Sequence, residues 1–296
     1  MRKLRYCLEY LGAAFAFALV RMLPLRALLA LARGLASLGF ALMRKRRAIA
    51  VGNLLKTGVA KDRREAVRIA RESFQSLAQT VVESVTIPSL LADPVCAARI
   101  KIEFDVPPET VAAFQNPSQG VIIASAHLGN WELAAKLCSR WKKVTGIARR
   151  FDNPYVQRLM ERRGIRDGMD TIDKHDAHPM KIVRVLKRGE ILAMLVDQHA
   201  NGDSACTIDF LGLPARSYTT PAVLQRLTGA PVVIGAAIRN GPLDFTIHFS
   251  EPLRYGLSKS SGEAEIVAAT QDMANRLAAH ILRRPEQYLW AHRRWK

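Results

Sequence analysis

Val121-Ile122-Ile123-Ala124-Ser125-Ala126 is an apolar run with no charge in it, and His127 follows it directly. A short continuous apolar run reads as a buried strand. After Asn130, the stretch Trp131-Glu132-Leu133-Ala134-Ala135-Lys136-Leu137 reads as a helix. His127 therefore falls in the turn between strand and helix, with Glu132 in the helix's first turns. Residues five apart on one straight helix diverge by roughly 140°, so the two can meet only if His127 lies outside the helix. Gly129 gives the turn that freedom. A partner on one nitrogen of a neutral histidine leaves the other free as a base, and a carboxylate within reach supplies one.

The chain around this turn alternates. From Asn53 to Thr86 the pattern is helical, with Phe74, Leu77, Val81 and Val82 at helical spacing, and Pro88 and Pro94 mark a break. Beyond it, strands are expected at Arg99–Phe104, Val144–Ala148, Ile191–Val196, Pro231–Ile238 and Phe245–Phe249, the last antiparallel at an edge. Helices are expected at Pro154–Arg163, opening on proline, at Met180–Lys187, ending near Gly189, and at Thr220–Leu227 and Glu263–Leu282. The order predicts an α/β fold, a mixed sheet flanked by helices.

Residues 2–47 are apolar with basic punctuation. Tyr10–Val20 is uninterrupted, but Arg21, Arg26 and Arg33 break the stretch beyond it, so no clean span of about 20 apolar residues exists. Two arrangements stay open: a short tilted spanning helix with snorkelling arginines, or helices lying among lipid headgroups. Pro24 kinks or divides the segment. No small-x-small site precedes a polar start, which argues against a cleaved signal peptide. Arg2, Lys3 and Arg5 lie before the apolar segment, and Arg44, Lys45, Arg46 and Arg47 lie after it. With the basic bulk downstream, the positive-inside rule predicts that the rest of the chain lies on the cytoplasmic face of an inner membrane. The expected units are 1–47, a helical membrane anchor, and 48–296, a helical lead-in with the α/β domain.

Forty-four Lys and Arg against 26 Asp and Glu give a net charge of +18, which calls for an acidic partner. No nucleic-acid-reading motif is present, so a phosphorylated substrate or an anionic membrane is expected rather than nucleic acid. Cys7, Cys96, Cys138 and Cys206 show no metal-binding spacing and read as free thiols. His175 and His178 read as a polar connecting segment, and no metal or cofactor is expected.

The residues His127-Leu128-Gly129-Asn130-Trp131-Glu132 resemble the H-x4-D/E motif of glycerolipid-type acyltransferases, and H-L-G-N-W-E is closer still to bacterial lipid A biosynthesis lauroyl/myristoyl acyltransferases. Further blocks fit in order. Ala148–Pro154 is similar to the family's R-x-x-x-N-P segment, Val196-Asp197-Gln198 to its D-Q segment, and Phe210–Ala215 to its F-x-G-x-P-A turn. The tail from Pro285 to Lys296 resembles its P-E-Q-Y-x-W-x-H-R-R-W-K ending. One departure is Arg150, where family members commonly carry proline after the arginine.

The resemblance implies transfer of a fatty acyl group from a thioester to a hydroxyl. The implied donor is acyl-acyl carrier protein, and the implied acceptor is an anionic glycolipid such as a lipid A precursor. Relatives acting on phosphatidylinositol mannoside or a lysophospholipid, with acyl-CoA as donor, share the motif. A non-catalytic membrane-binding protein is the remote rival. The expected base is His127, oriented by Glu132. Arg149 is the first candidate to stabilise the oxyanion and Arg150 the second, with the backbone N–H groups at Gly129 and Asn130 as further donors. No G-x-S-x-G elbow is present and no cysteine neighbours the pair, so direct transfer without an acyl-enzyme is expected. Trp131 either packs or shapes an acyl groove. Asn153 caps the helix at Pro154 or binds substrate. Arg163 meets a phosphate or is solvated. Asp197, at a strand's C-terminal end, is a site position of open α/β folds or a loop anchor, with Gln198 beside it. The aromatic and basic tail, His292 to Lys296, suits lipid headgroups or an acidic carrier, unless it is frayed and solvated.

Overall fold

The computed structural model describes residues 2–162, 169–176, 178–202 and 205–296. The chain opens with α1 (Arg2–Met22), α2 (Leu25–Leu42) and α3 (Arg44–Lys56). Pro24 divides the first two, since it lacks the N–H a continuing helix needs. Among the described residues, the helix long and apolar enough to cross a membrane is α2, not the Tyr10–Val20 run. Its mean hydropathy is 1.5 despite Arg26 and Arg33, because leucine and alanine fill most other positions.

The helical stretch expected at Asn53–Thr86 is two helices. Gly58, at φ +68°, turns the chain after α3. Asp62 then caps α4 (Arg63–Ala92): its carboxylate accepts from the Glu65 N–H at 2.8 Å. Helix α4 runs on through position 88, and the break falls at Asp93, which caps the short α5 (Pro94–Ala97). A proline inside a helix removes one hydrogen bond, and a 30-residue helix tolerates that loss here.

Then come β1 (Lys101–Asp105), α6 (Pro108–Gln115), β2 (Val121–Gly129), α7 (Trp131–Cys138), β3 (Val144–Ala148), α8 (Pro154–Arg162), β4 (Met169–Asp173), α9 (Pro179–Lys187) and β5 (Ile191–Leu195). The chain closes with the hairpin β6 (Ala205–Phe210) and β7 (Leu213–Tyr218), α10 (Thr220–Thr228), β8 (Val232–Gly241), β9 (Asp244–Phe249) and α11 (Glu263–Arg283). The main sheet runs β1-β9-β8-β2-β5-β3-β4. Strands β8, β2, β5, β3 and β4 are parallel, while β9 is antiparallel to β8. The mixed α/β expectation is met. Strand β9 is not at the edge, because β1 pairs with it in parallel.

Side chains alternate across β2. Ile122, Ala124, Ala126 and Leu128 join the core that includes α11 residues Met273, Leu277 and Ile281. Val121 and Ile123 join the core holding Leu133 and Leu137 of α7. Both faces are covered, which is why this strand reads as one apolar run. At its C-terminal end the pairing of β2 with β8 slips between Ser125 and Gly129. Such an irregularity re-aims side chains, and His127 lies within it.

Candidate active site

Strands β2 and β5 are parallel neighbours, with Ser125 opposite Leu195. Two residues further along each, His127 and Asp197 stand side by side at the C-terminal edge of the sheet. The His127 backbone N–H donates to Asp197 Oδ2 at 3.1 Å, and Nδ1 of its ring lies 2.9 Å from Oδ1. Asp197 is 3 % exposed. Burial opposes charging of the imidazole, but the charge of Asp197 and its hydrogen bond outweigh it, with a further push from Glu132, and raise His127 above its ordinary value of 6.5. Burial likewise pushes Asp197 up, yet the interactions with His127 hold it below the usual carboxylate range. In the neutral ring the Nδ1 proton faces the carboxylate, which leaves the Nε2 lone pair free. The Gln198 side-chain nitrogen lies 3.5 Å from Nε2, and the Trp131 ring meets the imidazole edge-on at 5.1 Å.

The carboxylate hydrogen-bonded to the imidazole is thus Asp197, where the motif spacing suggests Glu132. Among the described residues Glu132 makes no hydrogen bond to the ring and acts on it through its charge. The reason is the slip in β2, which aims His127 along the sheet edge toward β5 while Glu132 rises with α7.

Other expected residues find different work. The Asn130 N–H, expected as an oxyanion donor, is spent on the Ala237 carbonyl at 2.9 Å. The Asn130 side chain is fully buried: it caps α7 by accepting from the Leu133 N–H at 3.0 Å and donates to Glu83. Gly129 has φ +59°, and a Cβ there would lie 1.7 Å from the Ala237 oxygen, so only glycine fits. Asn153 is 4 % exposed and is not open to substrate. It caps α8 through the Tyr155 N–H at 3.0 Å and ties that helix to the Tyr6 carbonyl at 2.8 Å and to Glu9 at 3.0 Å in α1. Arg149 and Arg150 follow β3 at the same sheet edge, two strands from β2 and so roughly 10 Å away. Arg149 Nη2 donates to both oxygens of Asp152, at 2.7 and 2.9 Å, and Arg150 lies 3.6 Å from Asp173. Among the described residues neither guanidinium contacts the His127–Asp197 pair. Arg163 lies outside the described residues.

A pocket open to solvent on one side lies between α7 and the sheet, enclosing about 670 Å³ with its open mouth included. Trp131 and Glu132 line it, and its other walls include Ile123, Ala134, Cys138, Gly146, Met169 and Phe249. Glu132 is the ionisable residue in an otherwise mainly apolar lining, and burial drives the Cys138 thiol up beyond the physiological range. Such a space suits an alkyl chain whose polar end stays near His127.

The chain's tail completes the site and is packed rather than frayed, while Arg293 and Lys296 stay exposed. Leu289 N–H donates to the His127 carbonyl at 3.1 Å, and the buried Tyr288 hydroxyl interacts with Asp197. The His292 Nε2 accepts from the His199 N–H at 3.2 Å, which puts its proton on Nδ1. Burial lowers the pKa of His292 and keeps it neutral. Arg294 is 2 % exposed and bonds the Gln198 carbonyl at 3.2 Å, the Arg216 carbonyl and the Ser217 hydroxyl. Trp290 is fully buried. The spacing of Tyr288, Trp290, His292 and Arg294 at every second position was the available signal, but the segment is one bridge from Tyr288 to Leu128 followed by turns, not a strand.

Comparison with known proteins agrees in kind. A model of the family described as bacterial lipid A biosynthesis acyltransferase matches residues 1–296. The chain is similar to a lipid A biosynthesis palmitoleoyltransferase of Escherichia coli K12, 24 % identical over 294 residues, covering 99 % of this chain and 92 % of the relative. It is similar to a lipid A biosynthesis lauroyltransferase of the same organism at 25 % identity, again over 99 % and 92 %. A lipid A biosynthesis acyltransferase of Haemophilus influenzae is 23 % identical over 62 % of this chain and 57 % of its own length.

Proposed function

The chain belongs to the bacterial lipid A biosynthesis acyltransferase family, and from that premise we propose that it moves a fatty acyl group from acyl-acyl carrier protein to a hydroxyl of a lipid A precursor, with His127 as the base. The observation that supports this most is the His127–Asp197 pair, joined to the mainly apolar pocket by Trp131, which lines the pocket and meets the His127 ring. Nε2 takes the proton of the acceptor hydroxyl as its oxygen attacks the thioester carbonyl. The tetrahedral intermediate collapses, the carbon–sulfur bond breaks, and the imidazolium returns the proton to the leaving thiolate. General-base help of this kind is worth roughly 10²- to 10⁴-fold. Asp197 keeps the ring in the required tautomer and steadies the imidazolium. Glu132, at the cavity, adds negative charge that favours the same protonated ring.

Arg149 remains the first candidate for the oxyanion. Its bond to Asp152 is surface-exposed, and exposed pairs are worth only about 0–1 kcal/mol, so substrate can release it. Arg150 stays the second candidate for that role, and Arg163 is a candidate phosphate contact. A net charge of +18 suits both an acidic carrier and a phosphorylated acceptor.

The amino-terminal helices serve as the membrane anchor in this reading. Leu8, Leu11 and Phe15 of α1 and Leu35, Leu38 and Leu42 of α2 are exposed apolar side chains. The adjoining run Arg44–Arg47 suits anionic headgroups at the cytoplasmic face of the inner membrane. The test is to offer the purified chain acyl-acyl carrier protein and acyl-CoA against a lipid A precursor, a lysophospholipid and phosphatidylinositol mannoside, and to weigh the products by mass spectrometry. Acylated lipid A precursor made from the carrier-bound donor supports the proposal. Product only from acyl-CoA and another lipid replaces its donor and acceptor, and no product with any pair favours a binding protein.

A further inference from the structure

Behind the turn that carries His127 lies a buried ion pair outside the acyl cavity. Glu83 of α4 is 0 % exposed and Arg239 of β8 is 7 % exposed. The pair is bidentate: Arg239 Nε to Glu83 Oε1 at 2.7 Å and Nη2 to Oε2 at 2.6 Å. The guanidinium also donates to the Ser76 hydroxyl at 3.0 Å and the Thr80 hydroxyl at 3.0 Å. The Arg239 backbone is held on both sides by the Gln287 amide, which accepts its N–H at 2.9 Å and donates to its carbonyl at 2.7 Å.

Two bonds lead from this cluster to the catalytic turn. Thr80 donates to the Gly129 carbonyl at 2.7 Å, and Glu83 Oε2 accepts from Asn130 Nδ2 at 3.0 Å. Asn130 is the residue that caps α7, so its position sets where that helix begins and with it Trp131 and Glu132. A buried ion pair of this kind is weak evidence for stability, because removing two charges from water costs about what their attraction returns. The bonds to residues two and three beyond His127 indicate another role.

We propose that Glu83 and Arg239 are positioning residues for acyl transfer, holding the Gly129–Asn130 turn on α4 so that His127 meets Asp197 and Glu132 faces the cavity. This rests on His127 being the base. A misplacement of about 1 Å far from the chemistry costs on the order of 10²-fold in rate, so loosening the latch is expected to lower kcat more than it raises KM.

The test compares wild type with Glu83→Gln, which keeps the shape and an acceptor for Asn130 but strands the arginine charge, and with Thr80→Val, which leaves both charges in place but removes the bond to Gly129 and the hydroxyl that accepts from Arg239. The full chain in detergent is assayed with a lauroyl-carrier donor and a lipid A precursor, and the thermal midpoint and the pH dependence of kcat/KM are recorded. His127→Ala is the control. The expected result is a 10- to 100-fold lower kcat for both variants, nearly unchanged KM, and an acid limb moved to lower pH as the Asp197 contact weakens. Thr80→Val keeps the ion pair, so it carries the test if Glu83→Gln does not fold. Wild-type kcat and acid limb in folded Thr80→Val or Glu83→Gln, with His127→Ala inactive, would overturn the latch alone. Activity in His127→Ala would instead overturn the assignment of the base.

Discussion

Nδ1 of His127 and Oδ1 of Asp197 are 2.9 Å apart although 70 residues separate them in the chain. A second bond, from the His127 N–H to Oδ2, ties the same carboxylate to the backbone. The carboxylate is therefore fixed by main chain as well as ring, and the ring's free nitrogen is set by the fold rather than by a rotamer choice.

Asp197→Asn tests that relationship through pH. His127 is raised above 6.5, chiefly because Asp197 outweighs burial. A base must be deprotonated to act, so the acid limb of kcat/KM in wild type lies above pH 6.5 and activity rises as pH rises through it. Without the carboxylate charge, burial dominates and the limb moves to lower pH. The amide can also accept at its oxygen or donate at its nitrogen, which frees the wrong tautomer, so kcat is expected to drop roughly 10²-fold or more. Rate profiles between pH 5 and 9 give both numbers.

Glu132→Gln separates the charge of this residue from the orienting role of Asp197. Its charge is the weakest of the influences that raise His127, so the acid limb should fall less than in Asp197→Asn. Rate loss with a small limb shift is the expected outcome. A limb shift as large as that of Asp197→Asn would return the orienting role to Glu132.

Gly146→Leu probes the cavity. A Cβ at Gly146 meets Met169 Cε at an ordinary 3.9 Å, so the backbone accepts a side chain there, but a leucine projects into the space. Transfer should shift toward shorter acyl chains, read as the ratio of rates across carrier-bound donors of graded length. The same change at Gly235 is expected to disrupt folding, since its Cβ would lie 2.9 Å from the Phe249 ring.

Trp290→Ala tests the tail as structure. Trp290 is fully buried, packed edge-on to Tyr288 at 5.0 Å and stacked with Trp295 at 6.3 Å, and its ring N–H donates to the Pro285 carbonyl at 2.8 Å. Truncation of such a tryptophan costs about 3–5 kcal/mol, visible as a lower thermal midpoint. A frayed tail would leave the midpoint unchanged.

The parts of this fold that carry local signals were legible in the sequence. The apolar run of β2, the proline at the start of α8 and the glycine forced by the Ala237 carbonyl are each written in a few adjacent residues. Strand β4 and the hairpin β6–β7 were not, because Met169–Asp173 and Ala205–Tyr218 mix polar and apolar residues and gain their order from neighbouring strands. The site shows the same division. His127, Glu132, Asp197 and Gln198 stand out by motif. The bond between His127 and Asp197 depends on which strands are neighbours, and Arg239 and Glu83 look in sequence like the many exposed charges of a basic chain.

The most direct measurement is single-turnover transfer from a carrier-bound acyl donor to a lipid A precursor by wild type, His127→Ala and His127→Gln, each checked for folding and for membrane association. Loss of transfer by at least about 10²-fold in both variants, with folding and membrane association intact, is the predicted result. Transfer at the wild-type rate by a folded His127→Ala protein would contradict the assignment of His127 as the base.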